Sequence, residues 1–148
     1  MKNAIIAIAV LALLGGCANE AGLVTGKLPV VAGTLEGGPW LAEDLNGGGI
    51  MDRARVDLTF DPGDQNTSMV HGQSGCNRYR GSWKQDGATI KLGPFASTMM
   101  ACPPAVMDTE QKFLKTLEAV TTVTFEANGA AILTAPDGRR IRIRRESK

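Results

Sequence analysis

The 148-residue sequence predicts one α+β domain dominated by β structure: a curled antiparallel sheet covered on its concave side by one helix. Three observations carry that expectation. Short runs of alternating apolar and polar residues recur along the chain, about seven or eight of them. Turn chemistry separates the runs at Asp61-Pro62-Gly63-Asp64, Asp86-Gly87, Asn128-Gly129 and Pro136-Asp137-Gly138. One stretch alone has helical spacing, residues 105–120, with Met107, Glu110, Phe113, Leu114, Leu117 and Val120 on one side and Gln111, Lys112, Lys115 and Glu118 on the other. An apolar stripe needs a partner, and the strands are the available one.

The chain opens on Met1-Lys2-Asn3, runs apolar over residues 4–14 and reaches Gly15-Gly16-Cys17. A positive start, a short apolar run and small residues describe a secretory leader. Eleven apolar residues are too few to span a hydrocarbon core, which takes about 20. Leu14-Gly15-Gly16-Cys17 also resembles the bacterial lipobox, in which the cysteine is acylated and becomes the first mature residue. Ordinary secretion with a free Cys17 thiol is the plainer alternative. Each buried methylene of an acyl chain contributes about 0.8 kcal/mol, and two or more chains give stable anchoring. Ala18 follows the cysteine, and by resemblance to the sorting pattern of enteric lipoproteins the missing Asp points to the outer membrane. The expected organisation is a leader over 1–16, a lipidated tether over 17–35 and a domain over 36–148, on the periplasmic side of the envelope.

Loss of Lys2 brings the 16 basic and 15 acidic side chains to equality. A near-neutral domain is a poor candidate for nucleic acid. With Cys17 given to lipid, Cys76 and Cys102 remain, and an even remainder in an oxidising compartment is expected to pair.

In order along the domain, Pro39-Trp40-Leu41 starts the folded region and Pro29-Val30-Val31 offers a further short strand. Gly47-Gly48-Gly49 is a loop. Val56, Leu58 and Phe60 alternate with Arg55, Asp57 and Thr59, the pattern of a strand with one buried face. Strands are also expected over 67–72, 79–84 and 88–92, with an extended piece over 94–100. Cys102-Pro103-Pro104 ends that piece and suits a helix start. Thr121-Thr122-Val123-Thr124-Phe125 is β-branched, 130–134 returns, and Arg140-Ile141-Arg142-Ile143-Arg144 alternates strictly.

Gly75-Cys76-Asn77-Arg78-Tyr79-Arg80-Gly81-Ser82-Trp83 resembles the Gly-Cys-Asn motif of the META domain family, also called HslJ-like. Ser97-Thr98-Met99-Met100-Ala101-Cys102 is similar to that family's Thr-x-Met-Ala-Cys segment. Glu110 ahead of Phe113 and Leu114 matches its helix. The motif positions are Gly75, Cys76, Asn77, Tyr79, Gly81, Thr98, Met100, Ala101 and Cys102, and the resemblance spans about residues 38–145. It implies the half-barrel on a helix, often in envelope lipoproteins, with members tied to heat shock, novobiocin resistance or parasite virulence and without an agreed catalytic activity. The implied fold is also similar to a lipid-binding pilot that escorts secretins.

Cys76 with His71 as base would make a reactive thiol, but no orienting third group or oxyanion site stands at a recognisable spacing. His71, Cys76 and Cys102 lack the paired short spacings of structural zinc. No catalytic, cofactor or metal site is therefore expected. Asn77 reads as corner chemistry, since Asn tolerates left-handed dihedrals. Tyr79 and Trp83 share a strand face and read as core. The arginines of 140–144 are either a contact for anionic headgroups or an acidic partner, or the wet face of a charge-guarded edge strand.

The function expected is a non-enzymatic envelope lipoprotein, a binding or stress-tolerance factor held at the membrane by its lipid. The alternative is a lipid-binding, pilot-like chaperone, which needs an open apolar groove between helix and sheet.

Overall fold

A computed structural model describes residues 30–63 and 68–147; the leader and Cys17 lie outside the described residues. Among the described residues nine strands and one helix follow in the order β1 (Val30–Val31), β2 (Gly37–Leu45), β3 (Arg55–Asp61), β4 (Met69–Gly75), β5 (Arg78–Asp86), β6 (Thr89–Ser97), α1 (Pro104–Ala119), β7 (Thr122–Glu126), β8 (Ala130–Thr134) and β9 (Arg140–Arg145).

The sheet is not the half-barrel that the resemblance implies. Strands β2 to β9 close into an eight-stranded antiparallel barrel, and β1 adds to β7 beside it. The seam is narrow. Strand β7 pairs β8 along its length, but meets β6 only at Thr89↔Thr122. Two backbone bonds flank that pair, Ile90 N–H to Thr121 O at 2.9 Å and Val123 N–H to Ala88 O at 2.8 Å. Local periodicity reports which face a strand buries, but not whether an edge distant in sequence finds a partner. Closure also removes the edge that β9 was expected to form, because β9 pairs β2 on one side and β8 on the other.

The barrel interior is filled by side chains. Val56, Leu58 and Phe60 of β3 meet Val70, Tyr79, Ile90, Ile141 and Ile143 in one cluster with Phe113 and Leu117 of α1. Helix α1 lies across one end of the barrel, where β4, β6 and β9 approach it. Asn46 Nδ2 donates to Thr116 Oγ1 at 3.2 Å, and Arg139 donates to the Lys115 carbonyl at 3.0 Å. Pro104 occupies the first turn, where its missing N–H costs nothing. At the other end Leu35, fully buried, is held by Gln85 Oε1 and by Trp40 Nε1 donating to its carbonyl. Among the described residues the core lies between Leu35 and Ile143, and the chain from residue 18 onward retains all of it.

The two pieces expected over 88–92 and 94–100 are one strand. Tyr79↔Ser97 and Gly81↔Phe95 continue into Trp83↔Leu92 across a bulge, with Gly93 and Pro94 opposite Ser82. Proline is tolerated there because the bulged residue has no ladder bond to give.

Candidate functional site

The Gly-Cys-Asn corner joins β4 to β5, and the structure brings Thr98, Met100, Cys102 and Glu110 to it. Gly75 takes the left-handed conformation, φ +111°, which glycine adopts without steric cost. Cys76 and Cys102 form a disulfide across a sequence separation of 26, tying the corner to the residue before Pro103, which caps α1.

Asn77 does something other than the corner chemistry expected of it. Its φ is not positive, and it is buried at 1 % exposure. Its side chain bridges two other segments. Oδ1 accepts from Thr98 Oγ1 at 2.8 Å and from Met100 N–H at 2.7 Å, while Nδ2 donates to Glu110 Oε1 at 2.8 Å. Its own backbone N–H and the Ser74 hydroxyl both donate to Glu110 Oε2 at 2.7 Å. Thus Glu110, an acid standing at an apolar-stripe position of the helix, is the acceptor for the whole corner. Burial pushes its carboxyl up, but the hydrogen bonds from Ser74 and Asn77 outweigh burial and hold it below its ordinary value of 4.5.

Tyr79 is buried, and burial drives its phenol well above its ordinary range. Its ring packs edge-on to Phe113 at 5.5 Å and to Phe95 at 5.7 Å. The hydroxyl crosses Gly72 to donate to the Asp57 carbonyl at 2.9 Å. A Cβ on Gly72 would stand 2.0 Å from that carbonyl oxygen, so β3 and β4 approach this closely only around a glycine. A Cβ on Gly81 would likewise stand 2.6 Å from the Phe95 ring. Tyr79, Gly72 and Gly81 are therefore packing residues.

The outward face of the same strands is different in kind. Cross-strand pairs His71↔Arg80, Gln73↔Arg78, Arg80↔Ala96 and Lys84↔Lys91 set out one surface over β4, β5 and β6. A groove of about 760 Å³ crosses it, lined among others by Asp61, Met69, His71, Arg78, Arg80 and Thr98. His71 Nε2 contacts Asp61 Oδ2 at 2.9 Å, far from service to the disulfide-bonded Cys76. The side chains of Arg78, Arg80, Lys84 and Lys91 are exposed and make no hydrogen bond or ion pair among the described residues. Met69, Met99 and Met100, at 39, 97 and 55 % exposure, are the large apolar side chains that stand exposed among the described residues. Met69 lies in the groove, and the other two follow β6 directly.

The arginines of β9 contrast with these. Arg142 donates to Glu43 and to Glu126, the latter at 2.9 Å, and Arg144 donates to Glu43 at 2.6 Å. The Arg142 guanidinium holds the Glu126 carboxyl below its usual value, and Glu126 raises Arg142 in turn. Sequence reasoning singled out β9 and passed over β5. The available signal was the alternation of Arg78, Tyr79 and Arg80 within the motif itself.

Two solved structures share this fold. An NMR structure of a protein from Burkholderia xenovorans aligns over 77 % of this chain and 85 % of its own, at 23 % identity and a TM-score of 0.61. A second NMR structure aligns over 74 % of this chain and 90 % of its own, at 20 % identity and a TM-score of 0.57. At these identities the likeness establishes the fold alone. No curated protein matches the chain. The sequence model of the META domain matches residues 33–148, which takes in β2 to β9, the disulfide and the Asn77–Glu110 corner. The chain belongs to the META domain family.

Proposed function

We propose that this chain is a cell-envelope lipoprotein, cleaved before Cys17 and anchored on the periplasmic side of the outer membrane, whose META domain is a non-enzymatic binding factor in stress or drug tolerance. The observation that carries the binding role is the outward face of β4 to β6, where cations without a partner among the described residues stand near exposed methionines. The anchoring rests on the leader and on Leu14-Gly15-Gly16-Cys17. The pilot-like chaperone ranks second, because it needs an open apolar groove under the helix, and Phe113 and Leu117 are fully buried there.

Metabolic labelling with an alkyne palmitate analogue tests the anchoring. The parent chain is expected to carry label and to fractionate with the outer membrane. Cys17→Ser is expected to lose both label and membrane association. An unlabelled parent chain would contradict the reading. The tolerance role predicts that a deletion strain is sensitised to envelope stress or novobiocin, and that the Arg78→Gln/Arg80→Gln chain fails to restore growth although it accumulates normally.

A further inference from the structure

Lys84 and Lys91 stand directly opposite one another on the outward face of the β5–β6 hairpin. Like charges in that position oppose strand pairing, and neither lysine makes an ion pair among the described residues. Arg78 and Arg80 extend the same face along β5. From Arg78 to Lys84 the cations cover about 20 Å of strand. Between them stand the short side chains of Ser82 and Ala96. At the end nearer Arg78, Thr98 N–H bonds the Arg78 carbonyl at 3.0 Å and Met99 and Met100 project beyond it.

A single small anion would engage one or two of these cations and leave the rest repelling each other. An extended anionic surface engages them all, and the exposed methionines supply the apolar contact that such an interface also offers. We propose that this face docks on the anionic phosphate headgroups of a bilayer, with Arg78, Arg80, Lys84 and Lys91 on the phosphates and Met99 and Met100 entering the interface. The inference deepens the proposed function, resting on its envelope placement for the bilayer and naming what the face binds. Cys17 precedes Leu35 by 18 residues, an extended reach of at most roughly 60 Å, so an anchored chain keeps the face within range of the lipid.

The test uses the chain from Ala18 onward, which lacks leader and lipid but holds the whole core, with vesicles of phosphatidylglycerol and phosphatidylcholine. The chain is expected to float with mixed vesicles and not with phosphatidylcholine alone, and to be released by added salt. Each cation near the surface contributes about fivefold in partition, so Arg78→Gln/Arg80→Gln/Lys91→Gln is expected to weaken binding by more than about tenfold. Arg53→Gln/Lys115→Gln/Arg140→Gln removes three cations elsewhere and is expected to stay within about twofold of the parent. Met99→Ser/Met100→Ser is expected to weaken binding at unchanged charge. The single variants Arg80→Gln and Lys91→Gln give the same direction should the triple variant lose its cooperative melt. Absence of flotation on phosphatidylglycerol, as for a face made for an acidic protein, would overturn the proposal, and so would equal losses from the two triple variants. Because this chain carries no acyl group, its failure leaves the labelling of Cys17 standing, and an unlabelled Cys17 leaves vesicle binding standing.

Discussion

Two faces of one barrel carry arginines at alternate positions, and they differ in what answers them. On β9 each outward guanidinium at positions 142 and 144 meets a carboxylate. The register shift between Ala42 and Asp44 makes Glu43 the extra residue of β2, and its side chain accepts from Arg142 and Arg144 together. On β5 the neighbours of Arg78 and Arg80 across the ladder are Gln73, His71 and Ala96, none of which accepts from them. The denser charge in the sequence is the one the fold consumes. Availability of charge is a property of register, not of composition.

That difference can be broken or sharpened by substitution. The largest effect is expected below the β5 face, where the corner holds the face to the helix. Cys76→Ser/Cys102→Ser, which opens a loop of sequence separation 26, is expected to lower the unfolding free energy by about 3.5 kcal/mol, read from urea melts. Ellman titration of the denatured, unreduced chain from Ala18 should find almost no thiol; two per chain would contradict the disulfide.

Next comes Glu110→Gln, expected to cost about 2 to 3 kcal/mol because its amide would face the Asn77 and Ser74 donors. The sign of its pH dependence follows from the depressed carboxyl. Its stabilisation is present above the ordinary value of 4.5 and is lost as pH falls through the lower folded value. Acid melts of the parent should therefore lose stability below that point, and Glu110→Gln should show a flatter slope. An unchanged slope would remove Glu110 from the account.

Smaller again, Arg142→Gln leaves Glu43 and Glu126 without one of their cations and is expected to cost about 1 kcal/mol. The smallest effect is at Arg80→Gln, expected to stay within about 0.5 kcal/mol of the parent in the same melts. If Arg80→Gln cost as much as Arg142→Gln, the two faces would not differ as described.

Much of this was legible in the residues. The alternation of Val56, Leu58 and Phe60 reads directly as a strand with one face in the core, and Phe113 and Leu117 read as the buried stripe of the helix. The motif residues announced the family and the Cys76–Cys102 pairing was expected from the cysteine count. Closure of the barrel was not legible, since it depends on the single Thr89↔Thr122 pair, set by how far the strands shear around the barrel. Nor was the role of Asn77. Corner propensity and a buried bridge to Glu110 favour the same residue type, and only the burial of Glu110 tells them apart. The cations of β5 were visible as letters, but their lack of partners among the described residues depends on which strands flank them.

The most direct measurement of the central claim is NMR line broadening of the isotope-labelled chain from Ala18 on anionic vesicles doped with a spin-labelled lipid. The account predicts broadening concentrated over 78–84 and 96–101, with 140–145 sharp by comparison. Broadening centred on 140–145, or spread evenly over the barrel, would contradict it.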